Sequence, residues 1–162
     1  MVLIMDYYVD GGCRRNGRPD AIGAAAVARR YRNGRVAFRA DQLDDYYYSA
    51  TSQRAEILAI ILALEWAMDD YEKTDTSPRL SITIHSDSRY AVGCMNKWLY
   101  KWSNNGWINS AGNSVANQDI LQDVINAENR VLEVGTVEYK WVSRDQVHDA
   151  DKRCNELLDQ MW

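Results

Sequence analysis

Three strand-like runs in the first forty residues, followed by helix and strand in alternation, predict a single α/β domain. Its centre is a five-stranded mixed sheet, the first three strands antiparallel, with helices packed on it. Val2 to Val9 is apolar and aromatic and closes at Asp10-Gly11-Gly12, which reads as a strand ending in a turn. Gly23 to Arg30 and Val36 to Ala40 are two more short apolar runs. Asn33-Gly34 lies between them, a hairpin signal because both residues tolerate positive φ. Thr51 and Ser52 are good helix caps, and Leu58, Ile61, Leu62, Leu64 and Ala67 follow at helical spacing as far as Asp70.

Glu72 to Pro78 is a polar loop. Leu80, Ile82 and Ile84 then alternate with Ser81, Thr83 and His85, a fourth strand that ends at Ser86-Asp87-Ser88. Tyr90 to Trp102 is apolar at helical spacing and gives way to a Gly/Asn/Ser-rich stretch, Ser103 to Asn117. A helix from Gln118 to Leu132 follows, Gly135 breaks the chain, Val137 to Val142 is a fifth strand, and Ala150 to Met161 is a last helix.

Composition narrows the class. A length of 162 residues suits one domain with a real core, spanning residues 1–162 without a linker or repeat. No apolar run approaches the roughly 18 residues that cross a bilayer, so no membrane partner is expected. Three cysteines, Cys13, Cys94 and Cys154, have no metal-ligand spacing, and their odd number argues against a disulfide framework. An intracellular setting, cytoplasmic or nuclear, follows, and a monomer is expected.

The net charge of -4 argues at first against a nucleic-acid partner. The distribution is lopsided, however. Eight of nineteen Lys and Arg residues fall before residue 40, against three acidic ones. Six tryptophans and ten tyrosines stand against one phenylalanine, a choice that suits partly exposed contact surfaces as well as a core.

Four carboxylates occupy positions where a sheet scaffold exposes functional groups. Asp10 and Asp87 end strands, Glu56 lies in the first turn of the long helix, and Asp151 lies near the start of the last one. Carboxylates converging without histidines or a cysteine cluster suit hard cations such as Mg²⁺ or Mn²⁺. Each alone has a plainer reading, a turn aspartate or a helix-dipole charge, and spacing does not prove that the four meet.

Tyr8-Val9-Asp10-Gly11-Gly12-Cys13, Thr51-Ser52-Gln53-Arg54-Ala55-Glu56 and Ser86-Asp87-Ser88-Arg89-Tyr90-Ala91-Val92 resemble the three signatures of type 1 ribonuclease H. The segment from Trp98 to Asn117, with Lys101-Trp102-Ser103-Asn104-Asn105-Gly106-Trp107, resembles that family's substrate-binding protrusion. Order and spacing agree across nearly the whole chain. The resemblance implies the ribonuclease H-like fold and endonucleolytic hydrolysis of the RNA strand of an RNA/DNA hybrid, leaving 3′-hydroxyl and 5′-phosphate ends. It also implies two Mg²⁺ ions, with Mn²⁺ able to substitute, held by Asp10, Glu56, Asp87 and a fourth acid.

Two registers stay open for that fourth position. Val142 to Asp151 resembles the short-loop form found in fungal and plant relatives, in which Asp151 is the acid. The bacterial long-loop form would place it at Asn155, leaving no fourth acid. Asp151 is favoured because it needs no missing acid. If Asn155 holds the position instead, a catalytically weak or silent hybrid-binding module becomes the alternative. The family's histidine has no clear counterpart: His148 reads as a surface residue and His85 lies within a strand.

For substrate contacts, the resemblance implies that Gly11, Gly12 and Cys13 let backbone groups approach the RNA strand. Ser52 and Gln53 would read the minor groove, Thr51 and Asn117 would hold a DNA phosphate, and Trp98 would pack against deoxyribose. Ser52 stands where the family usually has Asn. Trp102, four residues on, is assigned to the core. Lys97 and Lys101 are the only lysines of the protrusion. Arg14 and Arg15 are the first candidates among the early arginines to compensate for that scarcity.

Overall fold

The computed structural model describes residues 1–44 and 49–162. Tyr46, Tyr47 and Tyr48, which contribute to the tyrosine excess, lie outside the described residues. The strands are β1 (Val2–Arg14), β2 (Ile22–Arg30), β3 (Val36–Gln42), β4 (Arg79–Ser86) and β5 (Gly135–Trp141). They form one sheet of order β3-β2-β1-β4-β5. β1 pairs antiparallel with β2 and parallel with β4, β2 pairs antiparallel with β3, and β4 pairs parallel with β5. The expected five-stranded mixed sheet is therefore present, its first three strands antiparallel.

The helices are α1 (Ser52–Glu72), α2 (Arg89–Gly93), α3 (Leu99–Asn104), α4 (Gln118–Leu132) and α5 (His148–Met161). Alternation along β1 sends Met5, Tyr7 and Val9 to one face, where Ile57, Ile60, Ala63 and Leu64 of α1 cover them in the main core. Each large side chain buried there contributes on the order of 1.5–3 kcal/mol. The opposite face of β2 presents Ala24, Ala26 and Ala28 at its centre, which let α5 lie close through Ala150, Cys154 and Leu158. No helix among the described residues is long and apolar enough to cross a membrane.

Several local expectations change. β1 does not turn at Asp10-Gly11-Gly12: Asp10 pairs with Ala26, Gly11 with Ala25 and Gly12 with Ala24, and the turn comes after Arg14. Gly11 is glycine for the packing of α1, because a Cβ there would stand 2.3 Å from the Ala55 carbonyl carbon. Gly135 opens β5 rather than breaking the chain, and a Cβ there would stand 2.1 Å from the Leu80 carbonyl oxygen. In the β2–β3 hairpin only Gly34 is left-handed, at φ 88°, and the Gly34 amide donates to the Tyr31 carbonyl at 3.0 Å. Asn33 is therefore not a positive-φ residue; its side-chain oxygen instead accepts from the Arg35 amide at 2.9 Å.

The helix expected from Tyr90 to Trp102 is interrupted. Between α2 and α3 the backbone forms a π-helical segment, Cys94–Trp98. The ring of Trp98 folds back over Gly93, where a Cβ would stand 2.6 Å away.

Candidate active site

Asp10, Glu56 and Asp87 each reach the same point from a different element. Asp10 projects from β1 where β1 leaves its parallel pairing with β4, one residue beyond the Val9–Ser86 pair. Asp87 follows immediately after β4, held in a tight corner. There the Ser86 hydroxyl accepts from the Ser88 amide at 3.0 Å, and the Ser88 hydroxyl accepts from the Ala91 amide at 3.1 Å to start α2. Parallel pairing brings both strand ends to one edge, so residues 77 apart in sequence become neighbours.

Glu56 arrives from α1, whose first turn is fixed by Thr51: its hydroxyl accepts from the Arg54 amide at 3.2 Å. Ser52 opens the helix, so Glu56 lies in its second turn and no acidic residue occupies the first. This corrects the first-turn placement and removes the helix dipole as the explanation of the residue. One carboxylate oxygen from each of Asp10, Glu56 and Asp87 lies within 4.8 Å of the others, the geometry of a set of ligands to one cation.

The electrostatics are those of negative charges forced together. Asp10 is 6% exposed, and burial is the main cause that raises its pKa far above the carboxylate range, with the Glu56 charge next. Glu56 is pushed up as well, by burial first and then by Asp87; a hydrogen bond from the Gly11 backbone partly opposes this. Glu56 Oε2 is buried with no hydrogen-bond partner among the described residues. An orphaned buried carboxylate oxygen beside two more carboxylates fits a hard divalent cation, which would reverse both shifts.

Asp151, in the first turn of α5, comes within hydrogen-bonding reach of Asp10. It stands outside the three-acid set but lines the same cleft, as does Asn155, which is exposed one turn further on. Gly11, Gly12, Cys13, Arg14 and Ser52 form the rest of the wall with Arg144. The Cys13 thiol donates to the Ala50 carbonyl at 3.4 Å. Arg14 is tied to Asp159 at 2.6 Å. Arg15, at φ 58°, points away from the cleft into an ion pair with Asp20 and a stack on Trp162.

A second concavity adjoins the first, lined by Thr51, Arg54 and Asn117 among others. Asn117 adopts a left-handed backbone, φ 66°; its amide donates to the Tyr90 hydroxyl at 3.1 Å and to Gln53 Oε1 at 3.3 Å. The buried Arg54 guanidinium donates twice to Asp119, at 2.9 and 2.6 Å, and depresses the pKa of that carboxyl. Arg54 and Tyr90 were quoted in the signatures without a role of their own. The signal for Arg54 was a charged residue amid an apolar helical run. Trp98 is 38% exposed and stacks on Trp102, which is partly buried against the core. His148 is exposed, and His85 is stacked on Tyr8 at 4.2 Å with Asp6 at 3.3 Å; neither lines the cleft.

These features define an α/β protein with an acidic cluster at its parallel strand ends. The solved structures it resembles share its fold. They include RNase H1 from the halophilic archaeon Halobacterium salinarum, 23% identical with a TM-score of 0.65, covering 97% of this chain and 98% of the other. LC11-RNase H1, solved in complex with RNA/DNA hybrid, is 18% identical with a TM-score of 0.70, over 97% and 98% of the two chains. The RNase H family model matches residues 4–161, and the chain belongs to the ribonuclease H family. Curated relatives named Ribonuclease H include those of Yersinia pestis, 29% identical over 99% of this chain and 90% of theirs, and Mannheimia succiniciproducens, 27% identical over 96% and 85%.

Proposed function

We propose that the protein cleaves the RNA strand of RNA/DNA hybrids endonucleolytically, leaving 3′-hydroxyl and 5′-phosphate ends. Asp10, Glu56, Asp87 and Asp151 would hold two Mg²⁺ ions, with Mn²⁺ able to replace them. The orphaned Glu56 Oε2, inside three convergent carboxylates, is the observation that carries this reading. Such ions supply Lewis acidity, easing deprotonation of water and neutralising charge on a departing oxygen.

The side chains do the rest. Asp10 and Asp87, on adjacent strand ends, are placed to share a ligand between them, and Glu56 closes the set from the helix side. Asp151, beside Asp10, takes the fourth position, and its reach to Asp10 favours it over the exposed Asn155. The backbone at Gly11, Gly12 and Cys13 borders the RNA strand, with Ser52 and Gln53 reaching the minor groove. Thr51 and Asn117 take a phosphate of the DNA strand, with Trp98 against a deoxyribose. A protein would sense the missing 2′-hydroxyls in this way. All four acids come from one chain, which supports a single-domain monomer acting alone.

The test compares a labelled RNA/DNA hybrid, single-stranded RNA and duplex DNA, each with Mg²⁺ or chelator. Cleavage confined to the hybrid with Mg²⁺ is expected; hybrid left intact by purified protein overturns the reading. Asp151→Asn should lower the rate at least about a hundredfold, whereas Asn155→Ala should lower it less than about fivefold. The reverse ranking would move the fourth position to Asn155.

A further inference from the structure

α4 turns a stripe of buried side chains inward at Leu121, Val124, Glu128 and Val131. Three are aliphatic; the fourth is a carboxylic acid that is 7% exposed. Burying an acid costs more than burying an aliphatic residue of its size, so packing alone does not account for Glu128. Both of its oxygens are taken by phenols. The Tyr139 hydroxyl, from β5, donates to Oε2 at 2.6 Å, and the hydroxyl of the exposed Tyr100, from α3, donates to Oε1.

Tyr139 makes a second tie to the same region. β5 is an edge strand, and the Tyr139 carbonyl accepts from the Asn96 side-chain amide at 3.1 Å. Asn96 and Tyr100 stand two residues before and two residues after Trp98. One tyrosine at the sheet edge therefore holds the chain on both sides of that tryptophan, directly at Asn96 and through Glu128 at Tyr100. The stretch it straddles includes the π-helical turn, Cys94–Trp98. Such turns are rare and concentrate at functional sites.

We propose that Glu128 is a positioning residue for the DNA strand of the hybrid. Through Tyr139 and Tyr100 it fixes the segment that carries Trp98, and so the presentation of that ring to deoxyribose. This rests on the function proposed above. Glu128 touches neither the acidic cleft nor the nucleic acid; it acts through Trp98. Its loss should therefore weaken substrate binding and leave the hydrolytic step intact.

The experiment is steady-state cleavage of a labelled RNA/DNA hybrid with Mg²⁺, alongside urea denaturation. Glu128→Leu is expected to raise KM about fivefold while kcat changes less than about twofold. It also leaves the buried Tyr139 hydroxyl without its acceptor and should lower the urea midpoint by about 1 M. Glu128→Leu combined with Tyr139→Phe removes both polar groups, so the midpoint should largely recover while KM stays raised. Glu128→Gln keeps an acceptor and should restore part of KM. In a Trp98→Ala background, where KM is already high, Glu128→Leu should add less than about 1.5-fold. If Glu128→Leu does not fold, Tyr100→Phe at the exposed end of the network carries the test, with KM raised about threefold.

A KM that returns to the parent's value together with the midpoint overturns the proposal, because Glu128 would then act on stability alone. Independent, multiplying effects of Glu128→Leu and Trp98→Ala overturn it too, since Trp98 would not be what Glu128 positions. Either result leaves the proposed function standing. A parent that leaves the hybrid uncut overturns the function and this proposal together.

Discussion

In Asp10 and Glu56 the proposed chemistry and the instability of the site reside in the same atoms. In an unfolded chain they titrate near their ordinary values, 3.8 and 4.5; in the fold, burial and mutual repulsion raise both. Between the two sets of values the folded protein holds protons that the unfolded chain has lost. The metal-free protein should therefore lose stability as pH rises from about 4 through the neutral range. Asp10→Asn removes the buried charge and should stabilise metal-free protein by on the order of 2 kcal/mol at pH 8. The gain should be smaller at pH 5, while cleavage is abolished. Urea denaturation at the two pH values checks the sign, and equal stability of variant and parent at pH 8 would refute it. The three acids were legible in the sequence because each stands beside a strand end or a helix cap. The pairing of Arg54 with Asp119 was not, because a partner 65 residues away is set by the packing of two helices and not by local spacing.

At the scale of elements, the position of Glu56 depends on how closely α1 lies on β1. Gly11 permits that approach: the backbone at Ala55 and Glu56 occupies the space where a side chain would project, at 2.3 to 2.4 Å. Gly11→Ala cannot be relieved by rotating a flexible neighbour, since the opposing atoms are backbone. The helix must shift or the strand must bend. A loss of at least about 3 kcal/mol is expected by urea denaturation. The residual folded protein should have less than about a tenth of the parent's cleavage rate, because Glu56 moves with the helix. Parent-like stability would show that the helix has slack the packing does not suggest. The long helix, the β4 alternation and the last helix were readable from period and caps. Gly11, Gly12 and Gly135, unlike Gly34, are not the punctuation they resemble, because a sequence records that a side chain is missing but not what fills the space. The π-helical segment was invisible for a related reason: Cys94 to Trp98 keep helical spacing, and the extra residue shows only in backbone hydrogen bonds.

For the whole molecule, net charge was a poor guide to partner. The early arginines that looked like a phosphate-binding row are largely spent within the fold. Arg29 pairs with Asp70, Arg39 with Asp69 at 2.8 Å, and Arg15 with Asp20, while Arg30 and Arg35 lie over tyrosine rings. Hybrid binding should accordingly depend more on cations in the acidic cleft than on a basic surface. At Mg²⁺ about tenfold above its dissociation constant, the protein should gain about 1.4 kcal/mol, raising Tm by roughly 2–5 °C. Chelator should reverse the shift, and Asp10→Asn should not show it. A scan of Tm against Mg²⁺ concentration decides this, and no shift in the parent would deny the cluster its cation.

β1 lies in the middle of the sheet, flanked by the second strand on one side and the fourth on the other. Asp10, near the start of the chain, is nevertheless made long before the residues it meets, which emerge from the ribosome at positions 56, 87 and, last, 151. The acidic cleft is therefore incomplete in a nascent polypeptide until the segment around residue 151 has left the ribosome. The pairing of β1 with β4 across the sheet thus postpones the meeting of like charges until at least residue 87 has been made.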